Sequence, residues 1–90
     1  MTDIENAENS LEGHSLALCR DGEIITSDLR GVAPMLFFLD NNTNLAGFSA
    51  ADLVVGKAAA MLFVKAGIKE VYARVMSESG LDFLIRHGIE

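Results

Sequence analysis

The sequence predicts an α/β fold in which a β-hairpin is followed by α-β-α-β-α, with helices on both faces of one sheet. Three observations carry this reading. An Asp-Gly pair, Asp21-Gly22, stands between two short apolar segments and marks a hairpin, because both positions of such a turn need positive φ. The run Leu53-Val54-Val55 passes directly into a helix-forming block from Gly56 to Ala66, with Gly67 placed as its C-terminal cap. A further strand-like run, Val71 to Met76, leads into a third helical segment ending near His87. Strands alternating with helices in this way build parallel pairs with helices packed on the sheet.

Residues 1–12 carry Asp3, Glu5, Glu8 and Glu12 and no Lys or Arg, and the isolated Ile4 and Leu11 set up no period. They are expected to form an acidic, flexible tail, frayed or a short solvated helix, ahead of a single domain over residues 13–90. In the hairpin, Ser15 to Arg20 and Glu23 to Thr26 flank the turn. A two-residue loop sets Arg20 opposite Glu23 and Leu18 opposite Ile25, with Cys19 and Ile24 on the other face. Apolar residues on both faces predict that the hairpin is covered on both sides.

Val32, Met35, Leu36 and Leu39 follow the i, i+3, i+4, i+7 pattern of one helix face. Pro34 is tolerated only in the first turn, so that helix begins near Ala33 and ends at Asn41. Leu45 to Val55 reads as an extended segment with Gly47 as a bulge. Ser77 to His87 reads as helix, with Ser79 and Asp82 at capping-box spacing and Gly88 as the stop. Ile89-Glu90 resembles the first step of a fifth strand.

Composition excludes several classes. With 50% hydrophobic and 22% charged residues among 90, the chain is of globular type. One cysteine makes neither an internal disulfide nor a thiolate zinc cluster, so a reducing, cytoplasmic compartment is expected. No apolar run is long enough for a membrane span, and the acidic amino terminus does not fit a signal peptide. A net charge of −6 argues against general nucleic-acid binding.

The stretch from Leu53 to Ser77, and above all Gly56-Lys57-Ala58-Ala59-Ala60, resembles the domain-of-unknown-function family numbered eighteen ninety-three. That resemblance extends from about Ser15 to Ile89 and implies a three-layer, cytidine-deaminase-like fold. Members of the family continue for several dozen residues more, so a shortened chain whose sheet lacks its last strand is expected. The resemblance also leads one to expect Lys where Leu53 stands.

A zinc deaminase carries His-x-Glu at the start of its second helix and Pro-Cys-x-x-Cys at the start of its third. Counted from the hairpin, those helices open Gly56-Lys57-Ala58-Ala59 and Ser77-Glu78-Ser79-Gly80, which supply neither ligands nor proton shuttle. Zinc-dependent deamination is therefore rejected, and no cofactor is expected.

Gly56-Lys57 is the most informative local feature. A helix N-terminus suits an anion, whereas a first-turn Lys opposes the helix dipole unless a carboxylate or a ligand compensates. Asp52 is a candidate for that carboxylate, and a phosphate-bearing ligand serves equally well. The segment is no Walker loop, since Ala51 and Ala58 replace its first Gly and its Ser or Thr. Ser77 and Ser79 open the next helix at a strand's carboxyl end, where N-capping explains them and ligands also gather. Cys19, Met35, Met61, Met76 and the Phe residues read as packing. His14 and His87 read as ordinary flanking residues.

The expected function is binding of a small anionic or nucleotide-like ligand by Asp52, Gly56, Lys57, Ser77 and Ser79. Two alternatives stand beside it. One is a metal-independent enzyme using a desolvated Lys57, and the other is a homodimer joined through the Val71–Met76 edge strand.

Overall fold

In a computed structural model, which describes residues 1–89, the hairpin turn forms as its chemistry dictates, with Asp21 at φ 50° and Gly22 at φ 84°. The elements run α1 (Asp3–Ser10), β1 (Leu16–Arg20), β2 (Glu23–Ser27), α2 (Ala33–Asp40), β3 (Ser49–Val55), α3 (Lys57–Ala66), β4 (Glu70–Met76) and α4 (Glu78–Arg86). The hairpin register is the one the two-residue loop requires: Arg20 pairs with Glu23, Cys19 with Ile24 and Leu18 with Ile25. The four strands lie in the order β2-β1-β3-β4. Among the described residues only β3 and β4 are parallel, because β1 runs antiparallel to both β2 and β3.

The core divides by sheet face. Leu16, Leu18 and Ala50 face Met35, Ala60, Phe63 and Leu84 from α2, α3 and α4. On the opposite face Ala17, Cys19 and Ala51 meet Ala7 and Leu11. The acidic segment is thus a structural layer, which corrects its reading as a flexible tail outside a domain at 13–90. Small side chains on that face let a short helix approach closely, and Ala7 is fully buried. Thr2 and Glu5 form a capping box at the start of α1. The Asp3 carboxylate ties the helix down, accepting from the Asp21 N–H at 3.1 Å and from Lys69 Nζ at 3.2 Å. The expected cover on the second face of the hairpin is supplied by α1 over β1 only, whereas Ile24 of β2 on that face stays 49% exposed.

Further expectations are corrected in detail. Strand β3 begins at Ser49 rather than Leu45, because Leu45 to Phe48 close a turn through the Phe48 N–H and Leu45 C=O. Gly47 is no bulge: it sits at φ 81° and donates its N–H to the Gly67 C=O. Helix α4 is capped by Ser77, whose Oγ accepts from the Gly80 N–H, whereas Asp82 pairs with Arg86 at 2.8 Å. Met61 and Phe37 are half exposed rather than core. The Ile89 N–H donates back to the Leu84 C=O and closes the turn that follows α4, and the expected strand start at Ile89-Glu90 cannot be followed past Ile89. Glu90 lies outside the described residues.

Among the described residues β4 pairs only with β3. Among these residues no helix is long and apolar enough to cross a membrane.

Candidate functional site

At the carboxyl end of β3 the chain encloses a cleft of about 440 Å³. Three pieces of chain wall it. Gly13, His14 and Ser15 lead into β1, Asp28, Arg30 and Gly31 link β2 to α2, and Asp52, Leu53 and Val54 belong to β3. The pairing of Leu16 with both Ser27 and Asp52 draws these pieces together, since continuing β1 backwards by one or two residues reaches the β2–α2 link and the end of β3.

Ser15 fixes the link by donating its hydroxyl to the Ser27 C=O at 2.9 Å and also to the Leu29 C=O. Ser27 Oγ in turn accepts from the Leu29 N–H at 3.2 Å. His14 Nδ1 lies 2.6 Å from Asp28 Oδ1. That contact occupies one ring nitrogen and leaves Nε2 as the other functional atom of the imidazole. Arg30 is exposed on the same wall and forms no ion pair among the described residues.

Asp52 is the unusual group. It is only 9% exposed, and its sheet neighbours in register are Leu16 and Ala73. Oδ1 accepts from the Leu53 N–H at 2.8 Å. Burial pushes the carboxyl up to about 6, against the opposing pull of the Leu53 and Val54 N–H groups. A carboxyl group titrating there exists in both protonation states near neutral pH. The cleft therefore combines a guanidinium, an imidazole held by a carboxylate, and a buried acid able to give or take a proton.

The five residues singled out from sequence divide between two places. Gly56, Ser77 and Ser79 come together where α3 and α4 begin side by side. The Ser77 N–H donates to the Val55 C=O, and the two serine hydroxyls lie 3.3 Å apart. Gly80 meets Gly56 so closely that a Cβ on it would lie 3.0 Å from the Gly56 carbonyl carbon. The two helix starts pack backbone to backbone there, and the Ser77 hydroxyl accepts from the Gly80 N–H as the α4 cap. Lys57 is exposed on the first turn of α3 and makes no ion pair with Asp52. The expected Asp52–Lys57 pair is not formed, because Asp52 points into the cleft five residues back along the chain. Exposure also leaves Lys57 without the desolvation that a Schiff-base or general-base role requires.

Nothing in the sequence marks Asp28 or Arg30, and His14, expected to be an ordinary flanking residue, instead lies on the cleft wall. No linear motif joins them, and only the hairpin register, continued past its ends, brings His14 near Asp28.

The presence of α1 also changes which helix openings bear on the zinc signature. Counted in the fold, the second helix is α2 and the third is α3. Their openings read Gly31-Val32-Ala33-Pro34 and Gly56-Lys57-Ala58-Ala59, which again contain no His, Glu or Cys.

The sequence pattern of a domain of unknown function, DUF1893 (TM1506), matches residues 6–90. The structure resembles the crystal structure of a DUF1893 family protein from Thermotoga maritima, with a TM-score of 0.78 and 27% identity over 90% of this chain. The chain spans 55% of the length of that protein. It also resembles the apo dCMP deaminase of cyanophage S-TIM5, with a TM-score of 0.65 and 16% identity over 97% of this chain and 90% of that one. No curated protein matches.

Proposed function

The chain belongs to the DUF1893 family, and from that premise we propose that it binds a small nucleotide-like anion in the cleft around Asp52. The observation that carries this reading is the convergence of Arg30, His14 and Asp52 on one cavity at the carboxyl end of β3. Ligands of open α/β sheets gather at such ends. A volume of about 440 Å³ lies within the usual range for small-molecule sites, roughly 300–1,000 Å³. Arg30 offers a planar, permanently charged partner for a phosphate. Asp52 offers a polar contact on a wall otherwise shaped by Leu53 and Val54. The fold is shared with a protein named as a dCMP deaminase, which favours a nucleoside monophosphate over an unrelated anion. Without the zinc ligands in sequence, the role proposed is binding rather than zinc-dependent deamination.

A thermal-shift series with nucleoside monophosphates and inorganic phosphate tests this. The ligand-induced shift is expected to vanish in Arg30→Ala and to survive in Lys57→Ala. The reverse pattern would move the site to the α3 start, with Gly56, Lys57, Ser77 and Ser79 as its residues. No shift with any nucleotide would refute ligand binding of this class.

A second reading, self-association through β4, is favoured by one observation. Its outer edge is unpaired among the described residues, and Val75 is 60% exposed there. Sedimentation over a concentration series tests it, with a constant monomer mass as the negative result.

A further inference from the structure

We propose that the cleft reads its ligand through an amidine-type edge, meaning two N–H donors carried on one carbon, placed against the Asp52 carboxylate. This rests on the nucleotide-binding reading above and adds the chemistry that selects among nucleotides.

The argument starts from what Asp52 lacks. It is buried to 9% exposure between Leu16 and Ala73 in the sheet, yet none of the ion pairs among the described residues includes it. Burying a carboxylate without a cation or a full set of donors is costly. An ionised carboxylate has about four acceptor positions. The Leu53 N–H fills one of them at 2.8 Å, and the Val54 N–H also draws on the carboxylate, which still leaves acceptor capacity over. No buried side-chain oxygen or nitrogen of the described residues is left without a partner, so the free acceptor capacity of Asp52 is at the cleft surface, not sealed in the core.

Three kinds of partner meet that demand differently. A metal ion needs more ligands than this wall supplies, and no group of three His, Cys, Asp or Glu side chains among the described residues is arranged to hold one. His14 and Asp28, the other ligand types lining the cleft, are engaged with each other through His14 Nδ1. A lone ammonium satisfies charge but not the planar geometry of the two oxygens. A planar pair of N–H donors matches a carboxylate in both respects, as guanidinium–carboxylate pairs do. Arg30, which lines the same cleft, then takes the anionic end of the same ligand. Guanine carries this edge at N1 and the exocyclic amino group, and hypoxanthine differs from it by lacking only that amino group.

The test compares GMP with IMP by isothermal titration at pH 8, where Asp52 is ionised, with arginine as a third probe. GMP is expected to bind at least tenfold more tightly than IMP, the value of one hydrogen bond to a charged acceptor. Asp52→Asn, which keeps the shape but offers an amide in place of one oxygen, is expected to bring the two within about twofold. The wild-type comparison stands even if that variant fails to fold. Arginine binding with loss of affinity in Asp52→Asn, and no nucleotide binding, would support the edge while refuting the nucleotide reading. Equal binding of GMP and IMP, lost in Arg30→Ala, would overturn the edge while leaving the nucleotide reading intact. Absence of binding by all three would overturn both.

Discussion

Asp52→Asn is expected to change the pH dependence of stability in a direction opposite to the usual carboxylate effect. The carboxyl titrates at about 6 in the folded chain against an ordinary value of 3.8. The folded state therefore holds this proton more tightly than the unfolded chain. Its contribution is complete below about pH 3.8 and is lost as pH rises through 6. Between pH 5 and pH 8 those two values imply a loss of about 1.4 kcal/mol from this group alone. Water entering the open cleft screens the charge, which lowers the expected figure to about 1 kcal/mol. Asn has nearly the same shape and no charge, so the variant removes the titration and leaves the other acids as they were. Urea denaturation of both proteins at pH 5, 6, 7 and 8 isolates the effect as a difference. The variant should gain on the wild type by about 1 kcal/mol across that range. A difference that stays flat with pH would refute the claim that Asp52 is buried without a compensating cation.

Two other changes test how the layers are held. Ser77→Ala should cost about 1 kcal/mol through loss of the α4 cap, while Ser79→Ala costs less than about 0.5, and denaturation midpoints that rank them the other way would reassign the cap. Ala7→Glu should force α1 away from the sheet and expose Cys19, which is fully buried and whose thiol is pushed up by burial. Labelling with a thiol reagent is expected to accelerate at least tenfold while the circular dichroism of the sheet persists. An unchanged labelling rate would mean that α1 does not guard that face.

The parts of this fold legible in sequence were those settled by neighbours along the chain. The Asp21-Gly22 turn fixed the register of five residue pairs, and Gly67 adopted the left-handed cap its position after Ala66 demanded. Helix α1 was hidden because its acidic composition imitates a solvated tail. Its one buried side chain, Ala7, with Leu11 at the C-cap, is too little to produce a helical period. The clue lay elsewhere, in Ala17, Cys19 and Ala51, whose small apolar side chains on one sheet face needed a close cover. A strand running from Leu45 to Val55 is too long for a related reason. Leu45 and Phe48 are as buried as strand residues, but they plug the end of the core from a turn.

Of the site, the charge of Asp52 is legible in sequence and its partner is not. Closeness in sequence makes Lys57 one candidate, whereas side chains of a strand end and of the following helix point to different regions. The true neighbours of Asp52 come from the β1 and β2 ends, some 20 to 40 residues away in the chain. His14 and Asp28 were within reach of register arithmetic, because Leu16 pairs with Ser27 and the next step outward brings Ser15 opposite Asp28. Arg30 was not, since its position depends on the path of the link into α2.

The most direct measurement is a nitrogen-15 NMR titration of the protein with a nucleoside monophosphate. Occupation of the cleft predicts saturable shifts of the backbone amides at Gly13 to Ser15, Arg30 to Gly31 and Asp52 to Val54. Saturable shifts confined to Gly56-Lys57 and Ser77 to Ser79, or no saturable shift at all, would contradict the assignment of the site to this cleft.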